Sequence, residues 1–281
     1  MIHIGLTGWG DHPSIHEQEP IKRSKLEAYA SHFPVVELDS AFYSIMNKDQ
    51  YHKWSEQTPT NFSFVVKSYQ AFTGHDRKTY TRKDIKEMFR YYQEGIQPLV
   101  EANKLNCILF QFPPWFKLSK DNISKLRFIR SQFDQYKIAL EFRNRTWFQD
   151  HVRKDTLQFM KEEGWIHSIC DEPQAGEGSV PMVPVVTHPS NTIIRFHGRN
   201  VMGWNKNGQE NWRKVRFLYR YSEQELSEWV ERIYQLNDQS QNITVLFNNN
   251  SGGDAYDNAK QLQHLLNIHY HDLNPRQMNL F

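Results

Sequence analysis

Short apolar runs rich in β-branched and aromatic residues recur along the whole chain, at Ile2–Gly8, Val35–Asp39, Phe62–Lys67, Cys107–Phe112, Lys137–Phe142, Ile166–Asp171, Thr192–His197 and Ile243–Asn248. Their length and composition predict strands. Most of the stretches between them carry a different period. From Asp84 to Leu99, the residues Ile85, Met88, Phe89 and Tyr92 fall on one stripe; from Ser222 to Leu236, so do Leu226, Trp229, Val230 and Ile233. Both patterns predict amphipathic helices. Ser222 and Glu225 have the spacing of a capping box at the start of the second.

Strands alternating with helices from end to end, with no linker and no fixed repeat, predict an α/β fold of one domain. The expected architecture is a closed, TIM-like (β/α)8 barrel over residues 1–273, with an open doubly wound sheet as the competing arrangement. The first turn lacks the GxGxxG phosphate loop, which counts against a dinucleotide-binding version of the open sheet. Residues 274–281 follow the last helical pattern and contain Pro275, so they predict a flexible tail. Gln174–Pro189, rich in Gly, Pro and Ser, predicts a loop over one face of the barrel. Arg199–Tyr221 interleaves Trp204 and Trp212 with Arg213, Lys214, Arg216 and Arg220. Such a stretch can touch nucleic acid by stacking and charge; the commoner arrangement buries the rings and leaves the cations solvated.

In a parallel barrel the side chains alternate between the interior and the helix layer, and the C-terminal strand ends form the active face. The inward parity turns polar at that end in strand after strand: Glu37 and Asp39, Lys67, Gln111, Glu141 and Arg143, Asp171 (after Ile169), Arg195 and His197, and finally Asn248. The opposite parity stays mostly apolar. Charges so placed are desolvated unless they are paired. One possibility is self-neutralisation, Glu141 with Arg143 or Arg195, closing the barrel top. The other is a polar pocket, in which Glu37, Glu141, Asp171 and His197 do acid–base or metal work while Tyr43, Lys67, Gln111, Arg143, Arg195, Arg199 and Asn248 hold an anionic substrate. Glu141, Asp171 and His197 are candidate ligands for a divalent metal, although no HExxH-type spacing supports them. The separation of Glu37 and Glu141 is not readable, so a glycosidase assignment has no support. No GxSxG elbow is present.

Composition narrows the partners. The charged residues nearly cancel, with 34 Lys and Arg against 32 Asp and Glu, so anion binding has to come from a local patch. The two cysteines, Cys107 and Cys170, have neither zinc-motif nor disulfide spacing and are expected to be reduced core thiols. The N-terminus starts directly on a strand pattern, and no apolar run reaches membrane-spanning length, so the expected location is cytoplasmic.

Several blocks together resemble a known family. Val36–Tyr43, Phe62–Lys67, Leu109–Pro114, Glu141–Arg143, Arg195–Arg199, Tyr221–Leu226 and Phe247–Asn250 look like the signature blocks of the domain of unknown function 72 (YecE-like) family, in order from Gly8–Trp9 to the last helix. The resemblance implies a TIM-barrel-like fold and brings no activity with it. Its motif positions here are Glu37, Tyr43, Lys67, Gln111, Glu141, Arg143, Asp171, Arg195, His197, Arg199 and Asn248. Asp39 stands where the pattern has Asn and Asn250 where it has Asp, which puts in doubt a carboxylate role at the end of the last strand.

The tail adds a hint about partners. Gln277, Met278, Leu280 and Phe281 resemble the Gln-Leu-x-Leu-Phe peptide by which bacterial replication and repair proteins bind the polymerase sliding clamp, with Met278 in place of Leu. Two functions from different classes follow. One is a hydrolase or phosphoesterase, with or without a divalent metal, acting on an anionic small molecule or nucleic-acid fragment. The other is a non-catalytic ligand-binding or clamp-associated protein.

Overall fold

Strands that are apolar on both faces have to be covered on both, and a ring of parallel strands inside a ring of helices does this. The computed structural model describes residues 1–17, 23–204, 210 and 212–276. Its strands are β1 (Ile2–Thr7), β2 (Val35–Leu38), β3 (Ser63–Lys67), β4 (Leu105–Gln111), β5 (Ile138–Glu141), β6 (Trp165–Asp171), β7 (Thr192–Phe196) and β8 (Ile243–Phe247). They pair in parallel in sequence order, and β8 closes onto β1. The predicted TIM-like barrel is the observed fold.

The inward parity builds a small core of Val35, Val65, Cys107, Leu109, Ala139, Ile166, Ile193 and Leu246. The outward parity packs against the helices in a much larger cluster. The helix Arg82–Glu101 shows how its sequence folds it: Thr81 and Asp84 form a capping box, and Phe89, Tyr92, Ile96 and Leu99 turn one face to the barrel. Glu223–Asn237 has the predicted box of Ser222 and Glu225 and buries Leu226, Trp229, Ile233 and Leu236. Gly5 lets β1 approach β2 closely; a Cβ there would lie 2.0 Å from the Val35 carbonyl oxygen.

The crossover from β6 to β7 is the exception to the alternation. Among the described residues it contains no helix; the first part of the predicted loop Gln174–Pro189 lies at the C-terminal rim, where Glu177 accepts from the Arg145 N–H at 3.0 Å and Gly178 from the Trp204 indole at 3.4 Å, and its later part runs along the flank of the barrel beside β6. Thr187 fixes it there, donating its hydroxyl to the Trp165 carbonyl at 2.8 Å and accepting the His167 N–H at 2.8 Å. Val180 and Val183 supply the apolar cover a helix would otherwise give.

The chain is tied down beyond residue 273. Asn274 donates its amide to the carbonyls of Glu27 and Gln57, at 3.1 and 3.2 Å, and Arg276 donates to the Ser31 carbonyl at 2.9 Å. The boundary expected at Asn274 therefore moves: residues 274–276 are anchored to the N-terminal side of the barrel, and Gln277, Met278, Leu280 and Phe281 lie outside the described residues. No helix among the described residues is long and apolar enough to cross a membrane.

Candidate functional site

Glu37, Glu141 and Arg195 extend the inward rows of β2, β5 and β7 to the C-terminal end, and all three are fully buried. Charges without water need partners, and Arg195 supplies them. Its Nε and Nη2 donate to the two carboxylate oxygens of Glu37 at 2.8 and 2.5 Å. Its Nη1 donates to Glu141 Oε2 at 2.6 Å and to the Gln111 side-chain oxygen at 3.1 Å. Arg143 donates to Glu141 Oε1 at 3.2 Å and lies 3.2 Å from Glu172 Oε2. The outcome is an alternating row, Glu37, Arg195, Glu141, Arg143 and Glu172, across the barrel. Arg195 spends all three of its nitrogens on the chain's own side chains, whereas Arg143 engages carboxylates through Nη1, so the self-neutralising arrangement weighed from the sequence is present in the row.

The row divides its carboxylates into two kinds. Burial pushes Glu37 up to about 7 against the pull of Arg195, and pushes Glu172 up to about 7 against Arg143. Burial also works to raise Glu141, but the guanidiniums, Arg195 first and then Arg143, hold that carboxyl well below its ordinary range. Glu141 is the ionised centre, and Glu37 and Glu172 are the groups able to carry a proton near neutrality.

His197 lies beside Glu141, with Nε2 3.4 Å from Oε1 and Nδ1 3.0 Å from the Asn248 amide. Burial, then Arg143 and Arg195, push its ring down to about 3, so it is neutral. The third residue in this corner is Cys170, whose sulfur lies with the Glu141 and His197 ligand atoms inside a 4.8 Å span.

Asp171 was expected in that corner and is elsewhere. The register pairs Ala139 with Ile166 and Arg195 with Cys170, so β6 turns Ile166, Ser168 and Cys170 inward. Ile169 and Asp171 face the helix layer. There Asp171 accepts from Arg199 at 2.9 and 2.6 Å, from the Tyr221 hydroxyl at 2.9 Å and from the Trp229 indole at 2.7 Å. Arg199 also pairs with Glu225 at 3.0 Å. Asp171 and Arg199 thus form a clasp between β6 and the helix Glu223–Asn237, away from the row. Parity taken from Ile166 would have found Cys170 and Ser168, whose hydroxyl donates to Glu141 at 3.0 Å. Glu172 had no periodic signal because it belongs to the loop.

Above the row the face is open and aromatic. Lys67 donates to Asp39 at 3.0 Å and sits 5.1 Å over the Phe42 ring. From Phe42 a ridge of rings runs to Tyr43 at 5.2 Å, to His75 at 5.0 Å, and from His75 to Trp115 at 6.0 Å, with Arg77 4.5 Å over Trp115. Tyr43 is 64% and Trp115 49% exposed. Trp115, His75 and Arg77 were not singled out by strand parity because they belong to loops. Trp204 is the opposite case: it is buried, with Arg143 at 4.7 Å and Arg216 at 4.1 Å from its ring, so its ring packs inward. The side chains of Arg213 and Lys214 lie outside the described set. A cavity of about 580 Å³ opens at the other end of the barrel, lined by Asn61, Asn106, Asn191 and Asn242 among others, and it contains none of the expected site residues.

Comparison with known proteins agrees with this architecture. The family described as "Protein of unknown function DUF72" matches residues 3–279. The UPF0759 protein YunF of Bacillus subtilis (strain 168) is 52% identical over 282 residues, covering 100% of both chains. The UPF0759 protein YecE of Escherichia coli (strain K12) is 24% identical over 227 residues, 75% of this chain and 79% of that one. A solved DUF72 family protein of Enterococcus faecalis superposes with a TM-score of 0.90 at 41% identity, over 99% of this chain and 100% of that one. Another, from Thermotoga maritima, gives 0.80 at 29% identity, over 95% and 100%. Matched over nearly its whole length in sequence and in fold, the chain belongs to the DUF72 family.

Proposed function

We propose that the chain is a barrel enzyme acting on a phosphoester of the nucleotide or single-stranded nucleic-acid class, held across the C-terminal face. The observation that carries this reading is the ridge Tyr43–Phe42–His75–Trp115, with Lys67 and Arg77 against its rings. The exposed rings at its two ends, Tyr43 and Trp115, offer platforms to bases, each worth about 1–3 kcal/mol, while the half-buried Phe42 and His75 support them from between. Asp39 takes one of the three N–H donors of Lys67, which leaves donors for a phosphate oxygen. Gln111 and Asn248 complete the polar wall, and Glu37, Glu141 and His197 lie directly beneath as the groups for acid–base or metal-assisted work. Arg143 and Arg195 serve by fixing those carboxylates.

The test is binding of a labelled single-stranded oligonucleotide, with a mononucleotide in parallel, followed through tryptophan emission at several salt concentrations. Trp115→Ala and Lys67→Ala should each weaken binding about tenfold or more, in keeping with about 1–3 kcal/mol per stacked base, and Lys67→Ala should flatten the salt dependence. Unquenched emission with both probes, or equal affinities for wild type and both variants, would sink the reading. If binding holds while the wild-type chain cleaves no phosphoester, with or without added divalent metal, the non-catalytic alternative replaces the enzyme; cleavage undiminished in Glu141→Gln would remove Glu141 from the machinery.

A second reading concerns the partner. The sequence Gln277, Met278, Leu280 and Phe281 resembles a sliding-clamp peptide, and what supports this reading is that the residues before it, Asn274 and Arg276, are anchored on the side of the barrel opposite the ridge. A clamp held there leaves the C-terminal face free for nucleic acid. Capture on immobilised clamp, full chain against a chain cut before Gln277, tests it; equal recovery disposes of it.

A further inference from the structure

We infer that Glu141, Cys170 and His197 form a binding site for a zinc-class divalent cation, in the barrel interior beneath the C-terminal face. The three side chains come from three different strand ends, are all buried, and have their ligand atoms within 4.8 Å of one another. A site of thiolate, imidazole and carboxylate selects zinc or a neighbouring transition metal over magnesium or calcium, because the hard cations prefer oxygen alone. The inference goes beyond the proposed function and holds whatever the open face binds.

The second observation is the state of His197. Its Nε2 is buried, has no hydrogen-bond partner and points at Glu141. An imidazole nitrogen left without a partner at 1% exposure costs free energy unless something else takes its lone pair. The neighbour at Nδ1 suits a metal ligand. With the Asn248 side-chain oxygen turned toward the ring, it accepts Nδ1–H and leaves the Nε2 lone pair free, the usual support for a metal-bound histidine.

Glu141 can serve without losing its place. Its Oε2 keeps Arg195 at 2.6 Å and the Ser168 hydroxyl at 3.0 Å, and its Oε1 faces His197. A cation at Oε1 displaces only the 3.2 Å contact of Arg143, which retains Glu172 at 3.2 Å. The thiol of Cys170 gives up its proton to solvent as the metal–sulfur bond forms, so a divalent cation brings a net charge of plus one into a corner where Glu141 is ionised. Three protein ligands leave a fourth position for water or a substrate atom, the pattern of catalytic zinc sites.

The experiment is equilibrium dialysis of the full chain, kept reduced, against cobalt(II) in mildly alkaline buffer, with absorption spectra and metal analysis. The expected result is equimolar cobalt and a thiolate-to-cobalt charge-transfer band that is present in Cys107→Ser and lost in Cys170→Ser. His197→Gln should keep the sulfur band but shift the visible bands, so the assignment does not depend on one variant. No sulfur band in the folded wild-type chain, or a band that survives in Cys170→Ser, overturns the inference. Neither outcome depends on oligonucleotide binding, so failure here is distinguishable from failure of the proposed function.

Discussion

Arg195 holds Glu37 through two parallel hydrogen bonds, at 2.8 and 2.5 Å, with both side chains wholly shut off from water. Nη1 of the same guanidinium holds Glu141 at 2.6 Å. One cation therefore keeps two buried carboxylates in place. Arg195→Met should destabilise the fold by about 3–5 kcal/mol, because it leaves buried charge without a partner. The double variant Glu37→Gln/Arg195→Met should recover part of the loss. Urea denaturation measures both, and a single variant as stable as wild type would show that the row is not structural.

Asp171→Ala should be costly in a different way. It removes the acceptor shared by Arg199, Tyr221 and Trp229, and it strands the buried hydroxyl and indole donors. A loss of about 3 kcal/mol or more is expected for breaking a buried pair, read as a lower thermal midpoint. Oligonucleotide affinity of the folded variant should stay as in wild type. A folded variant that loses affinity without losing stability would return Asp171 to the site.

Acid should weaken the protein through its neutral histidines. Burial pushes His32 and His197 down to about 3 and His75 and His167 down to about 4, against an ordinary value of 6.5. As pH falls from 6.5 toward 4, the unfolded chain takes up protons that the folded chain refuses, so stability is lost over that window. Glu37 and Glu172, raised to about 7, act oppositely and offset part of that loss. His167→Gln isolates one contribution. Its unfolding free energy, from urea curves at each pH, should fall less on acidification than that of wild type, by up to about 1.4 kcal/mol per pH unit. Parallel curves would refute the assignment.

Gly5→Ala should fail in the barrel wall. The added methyl would meet the backbone oxygen of Val35 at 2.0 Å, and a backbone atom cannot rotate away. Overpacking of this kind costs about 1–3 kcal/mol, occasionally more. A lower thermal midpoint checks it, with Gly10→Ala, where nothing lies within 4 Å, as the control.

The strands were legible in the chain because burial on both faces writes itself as runs such as Cys107–Phe112, which shares all but its last residue with β4 (Leu105–Gln111). The phase of the inward row was legible wherever the charged end truly pointed inward, as at Glu37, Glu141 and Arg195. It failed at β6 because Asp171 is neutralised from outside by Arg199, and Arg199 comes from a loop whose position no periodicity records. The same reason hid Glu172, Trp115 and Arg77. Loop residues reach a site through the path of the backbone, and that path depends on contacts distant in sequence, such as Thr187 with Trp165.

The paired row beneath the aromatic ridge divides the molecule by the kind of change each part tolerates. Alterations at Glu37, Glu141 or Arg195 disturb buried charge pairs on which the fold depends, whereas Tyr43, Arg77 and Trp115 stand exposed at the rim, where a change leaves those pairs intact. On the proposed function, a lineage built on this scaffold can move from one ligand to another by editing its rim, while drift in the interior is held back by the need to fold.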